Sequence, residues 1–464
     1  MPRVDPSIAS PARLFGYPRL RWAGNVPEQV AAADLNGDGY IDFVVALQNF
    51  SGPSGLVGVS LGYWDTGFKT PVYYSSGGYW ASSVAIGDVN NDGIPDIVVG
   101  NYGCPPTGGC GPTTVGVLLG NGDGTFQDVV PYALNNDPAT SVAIADLNHD
   151  GKPDLIVGTN SLEVLFGNGD GTFQAPVSLI TNSEIRAVAV ADLNGDGKLD
   201  IVACGGRDTY VLLGNGDGTF LTPLFYSPGA QVGQIAVADL NGDNRPDIVV
   251  PNYTLGDSTV SVLLNNGDGT FKPAVQWDTG YPSALAVAAA DVNGDLKPDL
   301  VVANAGNGVS VLYGNGDGTF QSPLTFKTYG ADSVAIADVN HDRKPDLLVL
   351  DGAAYVDLLV NFGPPSIPTT TTLVSSANPA ALGQAVTFTA TVSSSGGPPP
   401  NGELVTFRNG NTVLGTAPLV SGVASFTIGS LPLGPQGISA RYPGDSEYLR
   451  LSVSPGVKEI IVSP

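Results

Sequence analysis

Asp146-Leu147-Asn148-His149-Asp150-Gly151-Lys152-Pro153-Asp154 places side-chain oxygens at its first, third, fifth and ninth positions. If the stretch curls, three carboxylates and one amide oxygen converge on a small volume. Two carboxylates ~5 Å apart repel by about 3 kcal/mol at an effective dielectric near 20. A closed loop of this kind is therefore expected to hold a cation. All-oxygen ligation on a flexible loop suits a hard ion, and Ca²⁺ tolerates irregular geometry better than Mg²⁺. A solvated acidic turn would use the same residue types. Repetition decides between the two, because the stretch occurs seven times.

The copies begin at Asp34, Asp88, Asp146, Asp192, Asp239, Asp291 and Asp338. The first is expected to bind through Asp34, Asn36, Asp38, Asp42 and the backbone carbonyl of Tyr40. The second would use Asp88, Asn90, Asp92, Asp96 and the carbonyl of Ile94; the third Asp146, Asn148, Asp150, Asp154 and Lys152. In the fourth the set is Asp192, Asn194, Asp196, Asp200 and Lys198, and in the fifth Asp239, Asn241, Asp243, Asp247 and Arg245. The sixth offers Asp291, Asn293, Asp295, Asp299 and Lys297, and the seventh Asp338, Asn340, Asp342, Asp346 and Lys344. An EF-hand needs an acid at position 12. Here that position is Val45, Val99, Val157, Ala203, Val250, Val302 or Val349, which excludes EF-hands. Position 6 is Gly39, Gly93, Gly151 and Gly197 in the first four copies, as a left-handed turn requires. Asn244 tolerates that conformation, whereas Leu296 and Arg343 would cost roughly 1–2 kcal/mol. Loops one to five are expected to bind best, with up to seven Ca²⁺ in all.

A period near 50 residues signals a solenoid, propeller or array. Each repeat carries a small/branched run such as Ser141–Ala145, the loop, an apolar run such as Asp154–Val157, and a third run such as Val115–Leu119. An Asn-Gly-Asp-Gly hairpin turn follows, then a fourth run opening on Phe. No segment keeps a 3.6-residue period, so helices are not expected. Four strands per repeat make a β-propeller blade. The Phe-x-x-Pro signature that opens the fourth run, as in Phe173/Pro176, also precedes the first loop at Phe15/Pro18. The last repeat stops after its third run, Tyr355–Val360. Residues 13–20 should therefore pair with residues 355–360 and close a seven-bladed ring without an unpaired edge.

The pattern Asp-x-Asn-x-Asp-Gly-x-x-Asp, with Gly-Asn-Gly-Asp-Gly-Thr-Phe between copies, resembles the FG-GAP repeats of the integrin α-chain propeller. It is most similar to the bacterial secreted variant, over residues 12–362. The resemblance implies Ca²⁺ in the loops between first and second strands, on the face opposite the usual ligand face.

Residues 363–368 read as a linker. Beyond them, residues 369–464 alternate with period two, as in Ala385–Val392, and suggest a β-sandwich. Stretches such as Asn378-Pro379, Val405-Thr-Phe407 and Ala440-Arg-Tyr-Pro-Gly-Asp445 resemble bacterial Ig-like repeat domains. That resemblance implies a spacer or adhesive stalk.

The formal charge of −24 argues against nucleic acid or an anionic membrane as partner. The loops hold 21 of the 43 acidic residues, so the charge reads as metal sites rather than as an acidic tail. No apolar stretch is long enough to span a membrane. The N-terminus lacks a signal-peptide apolar region, so export is expected through a removed signal or an unconventional route. Cys104 and Cys110 flank a Pro/Gly-rich loop and are expected to form a local disulfide, and Cys204 to be a buried thiol.

His149 and His341, the two histidines, fall at position 4 of metal loops and are expected to be solvated. No catalytic set can be assembled without them. Asp123 and its equivalents are accounted for by their hairpin turns. The aromatic loops on the other face are the candidate ligand surface, including Trp80, Tyr102, Tyr253, Trp277 and Tyr281. Three functions compete: a monomeric secreted or cell-surface adhesion module for a glycan or protein, a carbohydrate-active enzyme such as a polysaccharide lyase, and a passive scaffold. The shortage of Lys, Arg and His favours the first.

Overall fold

The computed structural model describes residues 19–22, 26–49, 54–63, 66–103, 113–135, 138–181, 183–228, 233–253, 257–328, 330–351, 355–361, 369–394, 399, 401–410, 412–442, 452–454 and 456–463. Every regular element among them is a β-strand. The chain divides into two compact units. Among the described residues, 19–292 and 296–361 form one, and 293–295 group with 369–463 in the other.

The first unit contains seven four-stranded antiparallel sheets. Blade 3 is representative, with strands Ser141–Ala145, Asp154–Gly158, Ser161–Leu165 and Val177–Thr181 from the inside out. Blade by blade, the inner strands are Val26–Ala33, Ala81–Gly87, Ser141–Ala145, Ala187–Ala191, Ala236–Ala238, Ala284–Ala290 and Ser333–Ala337. They neighbour one another in a closed cycle, the last against the first. Seven strands converging on one axis leave room only for small side chains there, which accounts for their alanine content.

Sheet closure follows the sequence expectation. Arg19–Trp22 pairs antiparallel with Tyr355–Leu359, with Arg19 opposite Leu358 and Trp22 opposite Tyr355. Residues 13–18 of the expected strand lie outside the described residues. The seventh blade is thus built from both ends of the propeller sequence.

The apolar cores sit between blades. Along Asp42–Gln48, Val44 and Ala46 pack with Ala81, Val84, Ile97 and Val99 of blade 2. The alternate residues Phe43, Val45 and Leu47 pack with Leu348, Leu350, Val356 and Leu358 of blade 7. A strand buried on both faces must be apolar at every position. The period-two pattern is lost in the second strands for this reason. Outer strands alternate less and expose more, as Val177–Thr181 does.

The second unit is a β-sandwich. One sheet joins Thr369–Ser375, Val386–Ser394 and Val423–Ile428; the other is built around Gly434–Tyr442, Leu404–Asn409 and Val457–Val462. Phe388, Phe407 and Tyr442 are among its fully buried core residues. Val386–Ser394 alternates between buried and more open positions, as a strand with one solvated face should.

Candidate functional site

Each nine-residue loop joins the end of an inner strand to the start of the second strand. Its first, third and fifth residues do the turning. The position 1 carboxylate accepts the N–H of position 6 at 2.7–2.8 Å in all seven loops. The Asn at position 3 accepts the N–H of position 5 at 2.8–3.0 Å, again in all seven. The position 5 carboxylate accepts the N–H of position 7, as Asp150 does from Lys152 at 3.0 Å.

These bonds require the left-handed turn at position 6. Its φ is 86° at Gly39 and 78° at Gly151, and Asn244, Leu296 and Arg343 adopt 61°, 64° and 67°. Position 4 is left-handed as well, which the sequence reading missed. Gly37, Asn91, His149, Gly195, Gly242, Gly294 and His341 all have φ between 57° and 85°. The signal was present: position 4 holds only Gly, Asn or His, residues enriched in that conformation.

Position 9, expected from the sequence as a ligand, is a structural tie. Asp42, Asp96, Asp154, Asp200, Asp247, Asp299 and Asp346 are fully buried. One oxygen of each accepts the N–H of position 2, such as Leu147 at 3.0 Å. The other accepts an N–H just past the third strand, such as Gly167 at 2.8 Å. Each of these acids thereby ties three strands of its blade together. Burial pushes Asp42, Asp247 and Asp346 up to about 6 against the pull of these N–H groups, and the acids at positions 5 and 1 add to the rise.

The donor set fits Ca²⁺: three carboxylates and one amide per loop, all oxygen, with position 9 keeping one lone pair on each oxygen. The carboxylates do not close onto one point. Among the described residues, no three His, Cys, Asp or Glu side chains converge as a metal grip. Lys152, Lys198 and Lys344 instead reach the position 5 carboxylates of their own loops at 3.3, 3.5 and 4.0 Å. Such exposed pairs add little stability.

The loops also touch one another. Asn91 donates to the Gly151 carbonyl at 2.8 Å, and His149 Nε2 lies 3.0 Å from the Gly197 carbonyl. The His341 ring meets Tyr40 edge-on at 5.1 Å. Both histidines, expected to be merely solvated, are links to the next loop. The hairpin-turn aspartates behave as expected: Asp123 accepts the Thr125 N–H at 2.9 Å.

The opposite end of the inner strands opens into a cavity of about 610 Å³ on the propeller axis. All seven blades line it, among them Glu28, Trp80, Ser141, Arg186, Gln234, Leu285 and Asp332. Of the five aromatics singled out from sequence, Trp80 and Tyr102 belong to this lining. Their rings stand 6.3 Å apart. Trp80 has φ 44°, a rare conformation for a bulky residue.

The other three lie elsewhere. Trp277 packs edge-on against Phe320 of the next blade at 5.5 Å. Tyr74–Phe126, Tyr132–Phe173 and Tyr226–Phe271 repeat that contact. Tyr253 and Tyr281 are half-buried outside the cavity. Cys204 is buried and free, its thiol pushed up to about 12 by burial. Cys104 and Cys110, and the disulfide expected of them, lie outside the described residues.

Comparison with known proteins places this architecture. The FG-GAP-like repeat family matches residues 34–99, 108–157, 155–203, 192–250, 253–302 and 291–349. The bacterial Ig-like domain (group 3) matches residues 373–460. Phosphatidylinositol-glycan-specific phospholipase D of Bos taurus and of Homo sapiens are each 28% identical over 179 residues, 33% and 34% of this chain. The chain spans 20% of the length of these curated relatives. Among solved structures, an Agrocybe aegerita lectin that recognises non-reducing terminal N-acetylglucosamine aligns with TM-score 0.47 and 25% identity, covering 66% of this chain and 81% of the lectin. BBS1N in complex with ARL6DN aligns with TM-score 0.53 and 15% identity over 75% of this chain and 98% of its own. The latter similarity is one of fold. Its repeated nine-residue loop, its ring of four-stranded blades and the extent of the match show that the chain belongs to the FG-GAP-like repeat family, with a bacterial Ig-like domain following the repeats.

Proposed function

We propose that this protein is an extracellular or cell-surface adhesion module that binds a glycan or protein ligand at its axial cavity. The cavity carries this reading. It is concave, it draws on every blade, and it lies at the far end of the inner strands from the near-identical loops. Its volume falls in the range of small-ligand sites, about 300–1,000 Å³. Asymmetric walls give specificity, which seven similar loops cannot supply. The loops serve instead as braces, where Ca²⁺ would neutralise the clustered carboxylates of positions 1, 5 and 9. Ca²⁺ modules of the extracellular kind work at about 10⁻⁴–10⁻³ M, which suits exposed loops on a secreted protein. The Ig-like unit acts as the spacer.

Glycan and extracellular-protein arrays probed in Ca²⁺, beside a polysaccharide-degradation assay, test the reading. The expected result is binding without turnover, weakened at least tenfold by Trp80→Ala. Turnover by the wild-type protein would make it a carbohydrate-active enzyme, and silence in every assay a passive scaffold.

A further inference from the structure

The polar groups lining the axial cavity divide into those the fold has used and those it has not. Gln29 Oε1 accepts the Val84 N–H at 2.9 Å, and Ser141 Oγ accepts the Val188 N–H at 3.2 Å. Ser333 Oγ bonds to the Val30 N–H and to Gln234 Oε1 at 3.4 and 3.3 Å. The Ser82 and Thr140 hydroxyls donate to carbonyls of their own and the next blade. These bonds join blades and leave the Gln29 and Gln234 amide N–H groups and the Ser141 O–H to meet the oxygens of a ligand.

The charged side chains of the lining are mainly acidic, and two aromatic rings accompany them. The Asp332 carboxylate makes no hydrogen bond among the described residues, and Glu28 takes one, from Gln48 Nε2 at 2.5 Å. Among the described residues, Arg186 brings the single positive charge to the lining; one terminal nitrogen is paired with Glu184 at 2.7 Å and its Nε has no hydrogen-bond partner. The same lining holds Trp80 and the 43%-exposed Tyr102, their rings 6.3 Å apart. An anionic ligand would add to the repulsion between Glu28 and Asp332. A neutral one would desolvate both without a counter-charge. A cation relieves both costs and gains from the aromatic faces.

We infer that the cavity takes a cationic amino sugar, its ammonium group between Glu28 and Asp332 and its ring against Trp80 and Tyr102. This rests on the reading of the cavity as the ligand site. A lysine side chain carries the same charge, but it is one slender stem and would leave most of 610 Å³ and the aromatic faces unfilled. Burial, then Asp332, pushes Glu28 up to about 7, and a cation bound beside it would favour its ionised form.

Calorimetric titration of the full chain in Ca²⁺ tests this with four probes: the β-1,4 glucosamine trimer, its fully N-acetylated form, cellotriose and trilysine. The glucosamine trimer should bind at least tenfold more tightly than the other three and weaken as salt rises. Glu28→Gln and Asp332→Asn should each remove that advantage while melting no lower than the wild type. Equal binding of the acetylated and free-amine trimers overturns the inference. If both are then lost in Trp80→Ala, the cavity still stands as the ligand site. Trilysine binding as tightly as the glucosamine trimer overturns the sugar. If no probe binds the wild type, the inference fails, and the array experiment decides separately whether the cavity is a ligand site at all. Should a carboxamide variant fail to fold, the comparison of probes on the wild type still decides.

Discussion

Asp154 and Asp150 sit in one loop and hold different jobs. Asp154 is buried and carries the N–H groups of Leu147 and Gly167; Asp150 is exposed and turns the loop. Removing Asp154 leaves two buried donors without partners, at about 1–3 kcal/mol each. Asp154→Ala should therefore cost about 3 kcal/mol in urea denaturation even with chelator present. Asp150→Ala should cost that much only in Ca²⁺. Equal losses in chelator would contradict the division of roles. Leu296, 90% exposed with φ 64°, offers the reverse case. Leu296→Gly should gain about 1 kcal/mol by relieving the left-handed strain, visible as a higher urea midpoint.

Glu28 gives a pH signature. Its carboxyl is raised from an ordinary 4.5 to about 7, first by burial and then by Asp332. An acid that holds its proton more tightly in the folded state costs nothing below its unfolded value. The cost grows as the pH rises from about 4.5 to 7 and is complete above that. Glu28→Gln should match the wild type near the bottom of this window and be the more stable protein above it. A difference in urea midpoint that stays flat with pH would rule the mechanism out.

At the scale of elements, four of the seams between blades are closed by an aromatic of one outer strand against a Phe of the next blade. Tyr74, Tyr132, Tyr226 and Trp277 share this place. Each lies six residues beyond the Phe that opens its own fourth run: Phe68, Phe126, Phe220 and Phe271. That spacing was legible in the sequence and would have separated Trp277 from the cavity aromatics. Trp277→Ala should destabilise the propeller by about 3 kcal/mol, and Trp277→Tyr by far less. Chemical denaturation of the two variants distinguishes a wedge from a surface ring, because a surface ring would tolerate both.

For the whole molecule, the acidic loops all fall between residues 34 and 346, and residues 369–464 have none. In a calorimetric scan, chelation should lower the melting transition of the propeller and leave that of the sandwich in place. A propeller transition indifferent to chelator would remove the bracing role. Contacts such as His149 to Gly197 run from loop to loop, so stabilisation should develop as one cooperative step rather than seven.

The chain by itself determined the repeat, the closure and the turns. Spacing, Asn-Gly-Asp-Gly hairpins and glycines at position 6 are local features, and local chemistry dictates them. The repeat of Phe-x-x-Pro ahead of the first loop was enough to place the N-terminal strand in the last blade. Only the tertiary structure decided the role of position 9, because its partner N–H lies on another strand: Asp154 meets Gly167, and Asp247 meets Asn265. The cavity belongs to the same class. Glu28, Trp80, Arg186 and Asp332 are far apart in the chain and come from four different blades. Closing the ring brings the starts of seven inner strands to one axis, and no periodicity along the sequence records which side chains meet there.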